Sequence, residues 1–343
     1  MIKIFKKKII FIGTYISSHK QNPSQAEILM KKLEDVATVR ISSSKLNPFF
    51  RILDMVYTVF KNRGENTLIF IDTYSHLAFW YSILISLICR LWKIKYIPIL
   101  RGGNLPSTIS RFYNISKFIF NGSIINIAPS EYIKKEFKKM NIRTHRISNF
   151  IELEKYNFKS RTNLEPNILW VRSFHKSYNP IMAVRVLNVL KEKYSNSRLT
   201  MIGPDKDGTL EECRDLARDL KLNKSIDFKG YMEKNDWINI AKDFDIFINT
   251  TNYDNMPVSI IEAMALGFPI ISTKVGGIKY LLNDGVDSFL VPKNDINMMS
   301  EKIIELIENT SLAYQFSENS RMQSIQYSWA NIENQWYDIL EKY

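Results

Sequence analysis

The chain has 343 residues, of which 45% are hydrophobic and 24% charged, and it carries a formal net charge of +12. That composition describes a soluble globular protein, and the length exceeds one ordinary core, so about two domains are expected. The two cysteines, Cys89 and Cys213, are far apart and fit no metal spacing, which points to buried thiols in a reducing compartment.

The chain opens on a basic and apolar stretch, Lys6-Lys7-Lys8-Ile9-Ile10-Phe11-Ile12-Gly13. Its apolar run is too short for a secretory leader and has no small-residue cleavage site after it. It reads as a buried first strand over 8–12. Further strands are predicted at 67–71, 95–100, 124–128 and 144–148, with helices near 24–34, 77–91, 107–119 and 130–140. The apolar run 77–89 falls short of the roughly twenty residues a membrane span needs, so a buried or surface-dipping helix is expected and no transmembrane segment.

The second half repeats the scheme. Strands are predicted at 167–171, 198–202, 225–229, 245–249, 269–272 and 288–291. Helices are predicted near 179–194, 208–221, 234–242, 257–266, 276–282 and 295–308. Alternating strands and helices make an α/β protein with parallel sheets covered on both faces. The polar stretch 152–166 reads as a linker, which gives domains at 1–155 and 156–326. Residues 327–343 form a last helix, with Trp329, Ile332, Trp336, Ile339 and Leu340 at helical spacing.

Charge is divided unevenly. Residues 1–150 hold 24 Lys and Arg against 8 Asp and Glu, whereas residues 151–343 hold 23 against 27. The first half is therefore expected to meet an anionic partner. Nucleic acid and an anionic membrane both fit the charge. No nucleic-acid motif is present, so the membrane is preferred over nucleic acid. The helix at 131–140, with Lys134, Lys135, Lys138 and Lys139 on one side and Ile133, Phe137 and Met140 on the other, is the expected contact. A simply solvated basic face is the alternative.

The most informative stretch is Asp254-Asn255-Met256-Pro257-Val258-Ser259-Ile260-Ile261-Glu262, with Gly267 as the helix stop. It joins two predicted strands as an acidic loop and a short helix. Ligands of such sheets bind beyond the carboxyl ends of the strands. Free N–H groups at the helix start suit a phosphate, and carboxylates accept hydrogen bonds from sugar hydroxyls. Pro257 lacks an N–H, which suits a first helical turn.

The two acids at this spacing resemble the signature of retaining nucleotide-sugar glycosyltransferases of family four. The resemblance continues through Thr273-Lys274-Val275-Gly276-Gly277-Ile278, Asn283-Asp284-Gly285 and Phe289-Leu290-Val291-Pro292. The family's first acid is usually Glu; here it is Asp254, one methylene shorter.

The resemblance implies a GT-B architecture, with two Rossmann-like domains whose parallel sheets face a central cleft, and a last helix that crosses back to the first domain. It implies that Glu262 takes the ribose hydroxyls of the donor and that Asp254 lies by the transferred sugar. The loop residues Asn255, Met256, Pro257, Val258 and Ser259 then surround the sugar or phosphate. Arg172 and Lys176 match the pair that grips the diphosphate, although Val171 replaces a glycine and the spacing is one shorter than the common form. Gly13 and Gly203 follow strand ends on the donor side, and Lys229, Gly230 and Tyr231 lie near the base. Arg101, Gly102, Gly103 and Asn104 form the expected acceptor loop, with Arg101 where many relatives have His; His76 is a further candidate there.

No metal site is read from the sequence, and the cations named above can take a metal's place; no cofactor is expected beyond the nucleotide-sugar co-substrate. What the resemblance implies is sugar transfer with retention to a glycan or lipid-linked acceptor, in cell-surface polysaccharide or lipopolysaccharide synthesis. The setting is the cytoplasm or the cytoplasmic face of the membrane. Two other readings stay open, a non-catalytic partner subunit and a GT-B-like sugar-nucleotide epimerase. A dinucleotide oxidoreductase is disfavoured because no Gly-x-Gly-x-x-Gly follows a strand.

Overall fold

The computed structural model describes residues 5, 7–15, 22–75 and 77–343. The chain forms two compact units, one of Met1–Asn149 with Ile332–Tyr343 and the other of Phe150–Asn331.

In the first unit β1 (Lys8–Ile12), α1 (Gln25–Glu34), β2 (Thr38–Ser42), α2 (Pro48–Lys61), β3 (Thr67–Thr73), α3 (Leu77–Leu91) and β4 (Lys95–Leu100) follow in order. Then come α4 (Leu105–Arg111), α5 (Tyr113–Asn121), β5 (Asn126–Ala128), α6 (Glu131–Lys139) and β6 (Thr144–Arg146). The six strands form one parallel sheet in the order β2-β1-β3-β4-β5-β6. The alternation in β1 and β3 decides what each sheet face meets. Ile10, Ile12, Ile69 and Ile71 pack with Met55 of α2, Phe79 and Ile83 of α3 and Ile119 of α5.

The second unit runs β7 (Asn167–Val171), α7 (Pro180–Lys193), β8 (Arg198–Ile202), α8 (Thr209–Asp219), β9 (Ile226–Gly230) and α9 (Lys234–Ile240). It continues with β10 (Ile246–Asn249), α10 (Val258–Ala265), β11 (Ile270–Thr273), β12 (Ser288–Val291), α11 (Ile296–Glu308) and α12 (Thr310–Ile325). Its parallel sheet has the order β12-β11-β10-β7-β8-β9. The first and last residues of this unit are tied together. Ile151 N–H donates to Tyr327 O at 2.9 Å, Trp329 N–H donates to Ile151 O at 2.9 Å, and the Phe150 and Trp329 rings lie 4.6 Å apart.

The last helix, α13 (Trp329–Lys342), belongs to the first unit from Ile332 onward. There Trp336 packs 5.9 Å from the Phe70 ring, and Ile339 and Leu340 are buried. Arg161 anchors the second unit below the sheet. It is buried, lies 3.6 Å from the Phe268 ring, and donates to the carbonyls of Phe244, Leu266 and Ala241 at 3.0, 2.6 and 3.1 Å.

Three departures from the sequence expectations matter. β2, α2 and α12 were not expected at all. The helix expected at 107–119 is split at Phe112 into α4 and α5, and the one at 276–282 is only a 3-10 turn over Ile278–Tyr280. The helix expected at a membrane, α6, turns its apolar side inward: Ile133 and Phe137 are fully buried in the core, and its lysines share the outer side with Glu131 and Glu136, which pair with Lys134 and Lys139. No helix among the described residues is long and apolar enough to cross a membrane.

Candidate active site

Strand order in the second sheet reverses between β7 and β10, because the chain runs from β7 through β8 to β9 and then returns to the other side of β7. A crevice opens at such a switch point, beyond the carboxyl ends of the strands. Arg172 follows β7 and Asp254 lies in the loop after β10, and the two form an ion pair there. The Arg172 guanidinium also lies 4.2 Å from the centre of the Tyr178 ring. Its Nε is buried without a hydrogen-bond partner.

The Asp254 loop is shaped by close backbone contacts. Gly277 N–H donates to Asp254 O at 3.0 Å. A Cβ on Gly276, whose φ is +50°, would lie 2.0 Å from Asp254 O, and one on Gly277 would lie 1.7 Å from Asn255 O. No side chain fits there, which is why the paired glycines stand where they do. Asn255 N–H turns back to Asp254 Oδ1 at 2.8 Å. Pro257 caps α10, whose first intrahelical bond is the one Ile260 N–H gives to Pro257 O at 3.2 Å. The N–H groups of Val258 and Ser259 precede that bond and face the helix start. Ser259 is buried and its Oγ has no partner, and Met256 is buried beside it in the loop.

Glu262, one turn further into α10, is only 4% exposed. Two groups from elsewhere in the unit reach it. Tyr156 Oη donates to Oε1 at 2.9 Å and Lys234 Nζ lies 2.6 Å from the same oxygen. Oε2 takes part in neither contact. Burial, and then the Glu262 charge, raise the Tyr156 phenol well above its usual pKa, so it stays a donor. Neither Tyr156 nor Lys234 stands out in the sequence. One sits in the polar stretch read as a linker and the other starts an unremarked helix, and only the tertiary fold brings them to the carboxylate.

The other donor-side residues are placed differently. Lys176 stands on a 3-10 turn, largely exposed, with Nζ 3.5 Å from Glu212, and is not brought to the Arg172–Asp254 pair. His175 caps that turn, its Nδ1 accepting from Ser177 N–H at 3.1 Å. Gly203 follows β8 and supports Arg172 from behind: its N–H donates to Gly230 O at 2.7 Å, and a Cβ on it would lie 1.8 Å from Arg172 O. Lys229 pairs with Asp227 at 2.6 Å, Gly230 ends the edge strand β9, and Tyr231 follows it. Among the described residues no group of three His, Cys, Asp or Glu is placed to hold a metal ion.

In the first unit, order reverses between β1 and β3. Gly13 and Thr14 line a small cavity there with Asp72, Tyr74 and Tyr81, and the Tyr81 phenol is buried without a partner. Arg101 Nε lies 2.7 Å from Asp72 Oδ1, and its Nη1 lies 3.4 Å from Asn149 Oδ1. Both members of the pair are almost fully buried. Burial lifts Asp72 above the ordinary carboxylate range, and Arg101 and its hydrogen bond restrain that rise. Gly102 packs against Ser75, where a Cβ would lie 3.0 Å from the backbone N. Gly103 leads into Asn104, which precedes α4 without a side-chain cap. His76 lies outside the described residues.

Residues 153–323 match the family described as glycosyl transferases group 1. Through those residues the chain belongs to the group 1 glycosyl transferases. They take in Tyr156, Arg172, Lys234, Asp254 and Glu262. An uncharacterized glycosyltransferase of Haemophilus influenzae is 30% identical over 158 residues, 46% of this chain and 44% of that one. A poly(ribitol-phosphate) alpha-N-acetylglucosaminyltransferase of Staphylococcus aureus is 23% identical over 209 residues, 60% of this chain and 41% of that one. The chain thus spans less than half the length of these relatives. Among solved structures, Anabaena HepE in complex with UDP-glucose superposes with a TM-score of 0.80 at 16% identity, over 98% of this chain and 100% of that one. The fold of this group 1 glycosyl transferase is GT-B, α/β with two Rossmann-like units.

Proposed function

We propose that the protein transfers a sugar from a nucleotide-diphosphate sugar to a hydroxyl of a glycan or lipid-linked acceptor, with retention at the anomeric carbon. The observation that carries this reading is the convergence of Arg172, Asp254, the start of α10 and Glu262 at the switch point of the second sheet, all within the family-matched residues.

Each group has work to do in that reaction. The Arg172 guanidinium and the first N–H groups of α10 bind the diphosphate and stabilise the charge that grows on it as it leaves. Glu262, fixed through Oε1 by Tyr156 and Lys234, offers Oε2 to the ribose hydroxyls. Asp254 accepts from a hydroxyl of the transferred sugar. The bond from the anomeric carbon to the diphosphate oxygen breaks and the bond to the acceptor oxygen forms on the same face. The acceptor proton passes to the departing phosphate, so no side-chain base is required, and Arg172 with the first N–H groups of α10 supplies the charge stabilisation a metal ion would otherwise give.

The names of the relatives support an acceptor of the cell-surface polymer kind. The basic first unit supports an acceptor met at an anionic membrane, on its cytoplasmic side where nucleotide sugars are made. The test is a thermal-shift screen with UDP-, GDP-, ADP- and dTDP-sugars, beside Glu262→Ala and the milder Glu262→Gln. A shift with one nucleotide that both variants lose supports the site, and proton NMR of the product then reads the anomeric configuration. No shift with any nucleotide, with or without a glycan acceptor, overturns the reading in favour of a non-catalytic partner subunit.

A further inference from the structure

We infer that the outer face of α2 and α3 in the first unit docks onto the surface of an anionic lipid bilayer. This names the surface for the membrane-facing part of the function proposed above and is independent of its chemistry.

Helices that cover a sheet normally turn apolar residues inward and polar ones outward. Here α2 and α3 are apolar on both sides. Inward go Met55 and Val59 of α2 and Phe79, Ile83 and Cys89 of α3. Outward on α2 go Phe49, Phe50, Leu53, Tyr57 and Phe60, with Phe49 66% and Phe50 59% exposed. Outward on α3 go Leu77, Trp80, Leu84, Leu87 and Leu91, at helical spacing along one stripe, with Leu91 77% exposed. The two helices pack against each other on the same sheet face, so the stripes make one continuous patch. A patch of this kind on a folded unit marks a contact surface.

Charge chooses the occupant. α3 carries no acidic residue, and the one acid of α2, Asp54, is engaged by Ser42 Oγ at 2.8 Å. Cations sit over the exposed rings: Arg63 lies 4.1 Å from the Phe60 ring centre, Arg90 4.0 Å from that of Phe118, and Lys61 5.6 Å from that of Tyr57. At the end of α3 a notch of about 620 Å³ is lined by Leu87, Leu91 and Phe118 together with Arg90, Lys93 and Lys95. Leu87 and Leu91 belong to both the notch and the stripe. Aromatic and leucine side chains rimmed by Lys and Arg suit the boundary between acyl chains and anionic headgroups. A second copy of the same face would bring cations against cations. α2 and α3, with 14 and 15 residues, are too short to span a bilayer, so they lie on it.

The experiment is sedimentation of the full chain with vesicles of phosphatidylcholine alone or containing phosphatidylglycerol. Expected is binding to the anionic vesicles that weakens with salt. It falls about tenfold or more in Phe49→Ser/Leu53→Ser/Tyr57→Ser and, separately, in Arg63→Glu/Lys93→Glu. All five positions are at the surface, and an unchanged melting temperature confirms each fold. The proposal is overturned if the wild type stays in the supernatant or the variants bind as it does. It is equally overturned if ultracentrifugation without lipid finds a dimer that the triple variant splits, which would make the face an interface between copies. A failed nucleotide screen with intact vesicle binding would remove the transferase reading and leave this one standing.

Discussion

Arg172 and Asp254 meet as an ion pair across the switch point of the second sheet, the first from the end of β7 and the second from the loop after β10. If Arg172 grips the diphosphate as proposed, the carboxylate competes with it for the guanidinium in the free protein. Asp254→Asn removes the competitor and keeps the shape. UDP, or whichever nucleoside diphosphate the screen identifies, should bind this variant roughly five- to tenfold more tightly, because the charge that holds the guanidinium is released. Sugar transfer should fall at the same time. Titration calorimetry checks the first half, and weaker binding would mean that Arg172 does not face the phosphates.

Glu262 gives a second handle. Lys234→Met leaves a buried carboxylate with only Tyr156 as partner, which should cost about 1–3 kcal/mol in a urea titration. Tyr156→Phe should change the dependence on pH. Burial, then Glu262, raises the folded-state pKa of this phenol above its unfolded value near 10. Its contribution to stability is therefore present below about pH 10 and is lost as pH rises beyond it. The wild type should lose urea resistance between about pH 9 and 11 more steeply than Tyr156→Phe; parallel curves would rule the group out.

The acids were legible in the sequence because their spacing, the proline between them and the glycine stop form a local pattern. Arg172 was expected from the family resemblance, at its place after a strand. Lys176 was expected beside it, but the 3-10 turn over Lys176–Tyr178 carries it outward to Glu212. Tyr156 and Lys234 were illegible because nothing local couples them to Glu262. The missed helices have physical reasons too. α2 keeps a polar stripe of Arg51, Asp54, Thr58 and Lys61 at helical spacing, but that stripe is narrow and most of its exposed side is Phe49, Leu53, Tyr57 and Phe60, so it does not read as an ordinary surface helix. α12 has a mixed inner face, where Ala313 and Phe316 join the core but serines fill the other inward positions. Its inward positions include Ser317 and Ser320, whose hydroxyls donate to Gly267 O at 2.7 Å and Asp287 O at 2.8 Å. Hydrogen bonds replace hydrophobic contact there, and the periodic signal disappears.

In the first unit the Asp72–Arg101 pair predicts a double-mutant cycle. Asp72→Asn leaves the Arg101 charge buried without its counter-ion and should cost about 3–5 kcal/mol. Asp72→Asn/Arg101→Met removes both charges and should recover part of that loss. Because burial raises the folded pKa of Asp72, its cost of ionisation grows as pH climbs through the carboxylate range. The Asp72→Asn penalty should accordingly be smaller at neutral pH than at acid pH, because only the wild type loses stability as Asp72 ionises. Urea midpoints at neutral and acid pH check this, and a penalty independent of pH would contradict it.

Gly208 and Gly277 separate backbone strain from steric contact. Gly208, with φ +84°, has open space where a Cβ would stand, so Gly208→Ala meets only backbone strain and should cost about 1 kcal/mol. Gly277 has an ordinary φ, but its Cβ would stand 1.7 Å from Asn255 O. No side-chain rotation relieves that contact, because both partners are backbone. Gly277→Ala must push the Asp254–Asn255 loop outward, at about 1–3 kcal/mol, and carry Asp254 away from Arg172. The signature is a split between stability and binding: Gly208→Ala should lower the melting temperature slightly with donor affinity intact, whereas Gly277→Ala should lower affinity by more than its stability loss explains. Calorimetry of both variants with the same nucleotide decides it, and equal affinities would show that the loop does not depend on the glycine contact.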